Sequence, residues 1–234
     1  MTLVLVAHGT RDPAGSWVVH ELAEQVRVRL PDVAVRIAFA DVRSPNVTDV
    51  LRTVHGPAVV VPAFLASGYH VRVDIPGQVA ESGHPSTVTT DPFGPAPSLV
   101  AAVRERLVEA GWVGEPIVFA AAGSSDARAL ADVRRAARLL RSMTGVDVEV
   151  GYVTTASPRV ADLVRGRNVA IAPWLLAPGL FHRVLRDTGA SVVAAPIGAH
   201  RHAVDLVVRR YLGTQWPAGQ AEASRMTTMM SQRN

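Results

Sequence analysis

The sequence contains no cysteine and no lysine. Without cysteine there is no disulfide, no thiolate nucleophile and no zinc–thiolate site, and a reducing cytoplasm is the matching compartment. Any metal has to be held by imidazole, carboxylate or water. Without lysine there is no P-loop, and every fixed side-chain positive charge is an arginine. Aromatic residues are scarce at 5%, which leaves little for stacking on bases. The arginines are scattered rather than gathered in a run, so nucleic acid is not an expected partner. Long apolar runs are missing too. Nothing approaches the roughly 20 residues of a membrane span, so no membrane partner is expected. The apolar run Met1 to Ala7 has no basic segment before it, and reads as a strand rather than a signal peptide.

What is present is a globular composition: 234 residues, 48% hydrophobic and 19% charged. That length suits one large α/β domain or two small ones. The net charge of +4 rests on arginine. It reflects either a compositional habit of the source genome or attraction for an anionic ligand, because guanidinium groups grip carboxylates in a two-pronged fashion.

The chain repeats itself. VLVAHGTRD over Val4 to Asp12 returns as VFAAAGSSD over Val118 to Asp126, and AFADVRSP over Ala38 to Pro45 returns as GYVTTASP over Gly151 to Pro158. VVVPAFLASG over Val59 to Gly68 matches AIAPWLLAPG over Ala170 to Gly179, and PFG at Pro92 matches PIG at Pro196. The four matches keep their order at offsets of 114, 113, 111 and 104, as expected of a duplicated unit with shorter loops in its second copy. The expected division is 1–113, 114–215 and a disordered tail over 216–234, with the junction at Trp112 to Pro116.

Within each copy, short apolar runs alternate with longer amphipathic stretches. Buried strands are expected at about 2–7, 34–40, 58–63 and 87–90, and again at about 116–121, 147–153, 168–173 and 191–195. Helical spacing is clearest from Val18 to Leu30 and from Ala129 to Met143. A helix after Pro97 is expected to close the first copy, and one from about His202 to Leu212 the second. The pattern predicts two α/β domains, each a four-stranded parallel sheet flanked by helices. In parallel sheets, ligands sit beyond the carboxyl ends of the strands. The loops AHGTRDP, ADVRSP, FLASGYH and DPFGPAP therefore share one rim, which faces the rim of the other copy across a cleft.

The first rim carries His8, Thr10, Arg11, Asp41, Arg43, Tyr69, His70 and Arg72. Two imidazoles and a carboxylate suit a borderline divalent metal and can also move protons near neutral pH. A purely structural explanation is available for either histidine alone: His8 bonding to a neighbouring loop, His70 opening a helix. The repeat weighs against it. His8 aligns with Ala122, Asp41 with Thr154 and His70 with Phe181, whereas Gly9, Pro45, Pro62 and Gly68 all have identical counterparts. Scaffold is kept twice; candidate ligands occur once. Gly9 and Gly123 belong to no dinucleotide or phosphate-loop motif, and fit a tight strand-to-helix turn in which Thr10 or Ser124 caps backbone N–H groups. His20 falls in a helix, and His55 and His84 in turns. His200 and His202 begin the last helix, where capping or solvation is the expected role.

AHGTRDP, AFADVRSP and PAFLASGYHVRVDIP, in that order, resemble the sirohydrochlorin chelatases of the class II chelatase superfamily, and the resemblance runs over roughly residues 1–212. It implies the long form, a fused tandem of α/β domains that inserts iron, cobalt or nickel, without ATP or organic cofactor, into a carboxylate-rich reduced tetrapyrrole. It implies that His8 and His70 are the metal-handling histidines. Asp41 takes the place of an acidic residue that is usually glutamate. Arg11, Arg43 and Arg72, with Thr10 and Tyr69, are then candidates for binding substrate, as are Arg128 and Arg183 from the opposite wall. Phe64, Leu65, Trp174 and Leu175 either face the ring or pack in the core. The divalent metal is a substrate, Fe2+ or Co2+ with Ni2+ also suited. A monomer supplies both walls, and a homodimer is equally compatible. The competing readings are a coproporphyrin-type ferrochelatase, a non-catalytic tetrapyrrole or metal carrier, and a periplasmic-type metal-binding protein.

Overall fold

The computed structural model describes residues 1–215, so the expected disordered tail lies outside the described residues. The first copy runs β1 (Thr2–Ala7), α1 (Pro13–Arg29), β2 (Ala34–Phe39), α2 (Val47–Arg52), β3 (Ala58–Pro62), a π turn (His70–Asp74), α3 (Ile75–Ser82), β4 (Thr87–Thr89) and α4 (Pro97–Glu109). The second runs β5 (Ile117–Ala121), α5 (Ala127–Thr144), β6 (Val148–Tyr152), α6 (Val160–Val164), β7 (Ala170–Trp174), α7 (Leu180–Arg186), β8 (Val192–Val193) and α8 (Arg201–Leu212). Two four-stranded sheets result, ordered β2-β1-β3-β4 and β6-β5-β7-β8, with every pairing parallel.

The central strands are buried at every residue, which is why they read as near-continuous apolar runs rather than as alternation. Their two faces serve different layers. Leu3 and Leu5 of β1 and Ile117 and Phe119 of β5 enter one central core that spans both sheets. Val4 and Val6 pack with Leu51 and Ile75 in an outer layer over the first sheet. Val118 and Ala120 pack with Val160 and Leu185 over the second.

Helix α1 starts five residues before the periodic stretch seen in the sequence. Asp12 accepts the Ala14 N–H at 3.0 Å as N-cap, and Pro13 takes the first helical position, where a missing N–H costs nothing. Asp126 repeats this cap on the Arg128 N–H at 2.9 Å.

The expected roles of the closing helices are corrected. Helix α4 lies against β7 and α5 of the second copy, whereas α8 lies against β3 and α1 of the first, and the two pack on each other. Polar contacts mark the exchange. Arg106 of α4 donates to the Ile197 carbonyl at 3.2 Å, and Arg210 of α8 donates to the Pro92 carbonyl at 3.1 Å and pairs with Asp91 at 3.1 Å. Arg29 of α1 meets Asp205 of α8 at 2.8 Å. Helical periodicity shows which face of a helix is apolar, not which sheet that face will cover. Among the described residues no helix is long and apolar enough to cross a membrane.

Candidate metal and macrocycle site

Three loops at the carboxyl ends of β1, β2 and β3 carry the expected ligands. One donor atom each from His8, Asp41 and His70 comes together, all within 4.8 Å of one another. The two imidazole rings stand edge to face with centroids 4.5 Å apart, and Phe64 lies about 6 Å from each, at 6.2 Å from His8 and 6.0 Å from His70.

Asp41 reaches this position despite its short side chain because its loop is drawn tightly against the first. The Asp41 N–H donates to the His8 carbonyl at 3.0 Å. Gly9 holds φ +96°, and a Cβ there would lie 2.1 Å from the Asp41 carbonyl oxygen. No side chain fits, so glycine is required by close approach as well as by backbone conformation. Gly123 does the same against Thr154 in the second copy. This refines the expected turn: Thr10 and Ser124 accept N–H groups, from Asp12 and Asp126, while the helix caps are the aspartates themselves.

The ring tautomers follow from the partners. His8 Nδ1 lies 3.0 Å from the Gly9 carbonyl oxygen. A carbonyl only accepts, so Nδ1 holds the proton and Nε2 is bare. His70 Nδ1 lies 2.6 Å from Asp74 Oδ2, and as donor to this carboxylate oxygen Nδ1 likewise carries a proton. In the neutral form, both histidines therefore offer an Nε2 lone pair. Asp74 escaped the sequence reading; its signal was the His-Val-Arg-Val-Asp spacing, which folds into the π turn, a local form frequent at functional sites.

Beside these residues lies a cleft of about 470 Å³, with His8, Gly9, Thr10 and Phe64 on one side and Trp174, Leu175 and Phe181 on the other. Its walls come from both rims, as expected, and it is mainly apolar. Phe64, Leu65, Trp174 and Leu175 all line it. Trp174 is also core, only 3% exposed, and donates its indole N–H to the Leu65 carbonyl at 3.2 Å. Asp132 accepts the Ser67 N–H at 2.9 Å. The second copy thus holds the loop that leads to His70. A larger depression of about 810 Å³ beside β2, lined by Arg27, Arg36 and Asp49 among others, contains none of these ligands.

The expected substrate-binding residues divide into two groups. Arg11 and Arg128 are exposed, and no side-chain partner is seen for either among the described residues. Tyr69 is 61% exposed at the head of the π turn. Arg43 is exposed, donates to the Thr10 carbonyl at 3.1 Å and lies over the Phe39 ring. Arg72 and Arg183, by contrast, are each paired with an aspartate of the other copy. Arg72 bonds Asp126, and Arg183 bonds Asp12 at 2.8 Å. The Arg183 guanidinium, followed by the Ala14 N–H, holds the Asp12 carboxyl below its ordinary range. At Asp126 the Arg128 backbone N–H is the largest cause, with Arg72 second.

A second cluster joins Glu105 of α4 to His200 and His202 at the head of α8, with donor atoms within 4.8 Å. His200 Nδ1 accepts the His202 N–H as N-cap, which leaves its ring proton on Nε2, 3.2 Å from Glu105. Glu105 also accepts from Arg201 at 2.7 Å and from His202 at 3.0 Å. The capping role expected of His200 is present. Solvation is not, because the residue is buried between the exchanged helices. Burial pushes the His200 imidazole down, as it does for His182, whose Nε2 bonds the Ala194 carbonyl at 3.2 Å.

The CbiX family model matches residues 2–110 and again 116–215. A sirohydrochlorin cobaltochelatase of Methanococcoides burtonii is 31% identical over 123 residues, covering 46% of this chain and 94% of that protein. The protein of the same description from Methanothermobacter thermautotrophicus is 28% identical over 131 residues, 46% of this chain and 91% of its own. Among solved structures, SirB from Bacillus subtilis with Fe3+ superposes with a TM-score of 0.79 at 23% identity, covering 95% of this chain and 97% of that one. CbiX described as the terminal enzyme of siroheme biosynthesis in denitrifying bacteria gives 0.72 at 25% identity, over 92% of this chain and 100% of that one. Matched in both of its copies, the chain belongs to the CbiX family.

Proposed function

We propose that this chain is a sirohydrochlorin chelatase, a cytoplasmic lyase that inserts Fe(II) or Co(II) into sirohydrochlorin without ATP. The observation that carries the reading is the convergence of His8, Asp41 and His70 within 4.8 Å beside a two-walled apolar cleft. The named activities of the relatives support it. Two imidazoles and a carboxylate accept either metal, so the ligand set does not choose between them.

The arrangement accounts for each requirement of insertion. The incoming ion exchanges water for the bare Nε2 of His8 and of His70 and for the Asp41 carboxylate, whose charge offsets that of the metal. Imidazole binds borderline ions firmly enough to strip water yet releases them to four ring nitrogens. The macrocycle loses two pyrrole N–H protons as it gains a doubly charged ion. The imidazoles freed by the departing metal can receive those protons. Asp74 keeps His70 in the tautomer that can do both tasks.

Following the absorbance of metal-free sirohydrochlorin under anaerobic conditions, with Fe(II) or Co(II) and catalytic amounts of protein, tests the proposal. Many turnovers are expected from the native chain and none from His8→Ala or His70→Ala. A carrier would stop at one equivalent. Near-native rates in the double variant would refute the assignment of the histidines, and preference for a coproporphyrin offered in parallel would refute the substrate.

A further inference from the structure

The two ion pairs between the copies obey the internal repeat. Asp12 aligns with Asp126 at the offset of 114, and Arg72 with Arg183 at the offset of 111. Each aspartate divides its oxygens in the same way. Oδ1 caps its own helix, through the Ala14 N–H for Asp12 and the Arg128 N–H for Asp126. Oδ2 receives the arginine of the other copy. Whereas His8, Asp41 and His70 survive in one copy only, this arrangement is kept in both.

Its placement is as telling as its symmetry. Arg72 follows His70 by two residues. Arg183 follows Leu180, Phe181 and His182, which line the cleft. The cavity itself has no arginine among its lining residues. A ligand rich in carboxylates and seated on this apolar floor finds its counter-charges beyond the lining, and Arg72 and Arg183 supply one from each copy.

We infer that Arg72 and Arg183 are the residues that receive two carboxylates of the acidic macrocycle, which displace Asp126 and Asp12 as exchangeable partners of the two guanidinium groups. The inference rests on the substrate class proposed above. The exchange costs little on either side. Each arginine is paired with a carboxylate before and after. Each aspartate, once released, keeps its backbone cap and stays at the positive end of a helix. Both arginine side chains are partly exposed, at 35% and 62%, and ion pairs of that kind contribute little net stability. Release of both pairs removes two of the polar ties between the copies, while Asp132 still holds the Ser67 N–H and Trp174 the Leu65 carbonyl.

A purely structural clamp and an exchangeable partner predict opposite signs for the aspartates. Asparagine retains the capping oxygen but loses the charge, so Asp12→Asn and Asp126→Asn remove the competitor and keep the helix start. Titration of metal-free sirohydrochlorin, followed by its absorbance, should show each asparagine variant binding about two- to fivefold more tightly than the native chain. Arg72→Gln and Arg183→Gln should bind roughly tenfold more weakly. Hydrogen exchange at residues 68–72 and 179–183 should rise in the asparagine variants without ligand. Weaker binding by all four variants would overturn the exchange and leave a clamp. Unchanged binding by both arginine variants would overturn their role as carboxylate receptors. If the native chain bound no sirohydrochlorin, the proposed function itself would fall, and this inference with it.

Discussion

His70 donates its Nδ1 proton to Asp74 across the π turn at 2.6 Å, and so presents a bare Nε2 beside His8. Asp74→Ala removes the acceptor that fixes both ring orientation and tautomer. Metal affinity should fall about 10- to 100-fold, the usual cost of losing such a partner, with little change in melting temperature because the pair is part-exposed. A Co(II) titration read by visible absorbance measures this, and native affinity in the variant would exclude the positioning role.

Gly9 is the hinge on which Asp41 depends. Gly9→Ala places a methyl group 2.1 Å from the Asp41 carbonyl oxygen at φ +96°. A cost on the order of 3 kcal/mol in folding stability is expected, together with loss of insertion as the two loops separate. Gly123→Ala makes the equivalent change in the copy without ligands, so it should destabilise comparably while sparing metal binding. Denaturant melts and Co(II) titrations on the two variants separate the effects. Equal loss of metal binding in both would contradict this account.

The exchanged helices make each copy dependent on the other. A fragment of residues 1–113 lacks α8, and its own α4 has no β7 to cover. Such a fragment should not persist as a folded monomer. Because α4 and α8 occupy equivalent places, two fragments can exchange α4 reciprocally, and light scattering should report a dimer or an insoluble chain. A compact monomer would contradict the exchange.

Acid should loosen the junction of these helices. Arg201 and then His202 hold the Glu105 carboxyl down to about 2, against an ordinary value of 4.5. A depressed folded value means the stabilisation is complete above about pH 4.5 and drains away as the pH falls towards 2. His200, kept neutral by burial, adds to the trend. Below its ordinary value of 6.5 the unfolded chain takes up a proton that the folded chain resists. Thermal melts across this range should therefore show a falling midpoint. Glu105→Gln should melt lower at pH 7 and decline less steeply between pH 4.5 and 2; parallel curves for the two proteins would remove Glu105 from the explanation.

The sequence by itself determined a great deal here. The repeat, the eight strands to within a residue or two, and the parallel sheets follow from short buried runs punctuated by glycine and proline. The asymmetry of His8, Asp41 and His70 between the copies was equally legible, because a missing ligand can be read by position alone. What tertiary structure decided were partnerships. Periodicity marks the apolar face of α4 and α8, but which sheet they cover depends on the path of the linkers before them. Arg72 and Arg183 read as candidate substrate binders because charge is visible in a sequence while pairing is not; only the approach of the two copies places Arg72 on Asp126 and Arg183 on Asp12. Asp74 gained its role when the chain closed a π turn over His70, since a hydrogen bond depends on distances that folding alone creates.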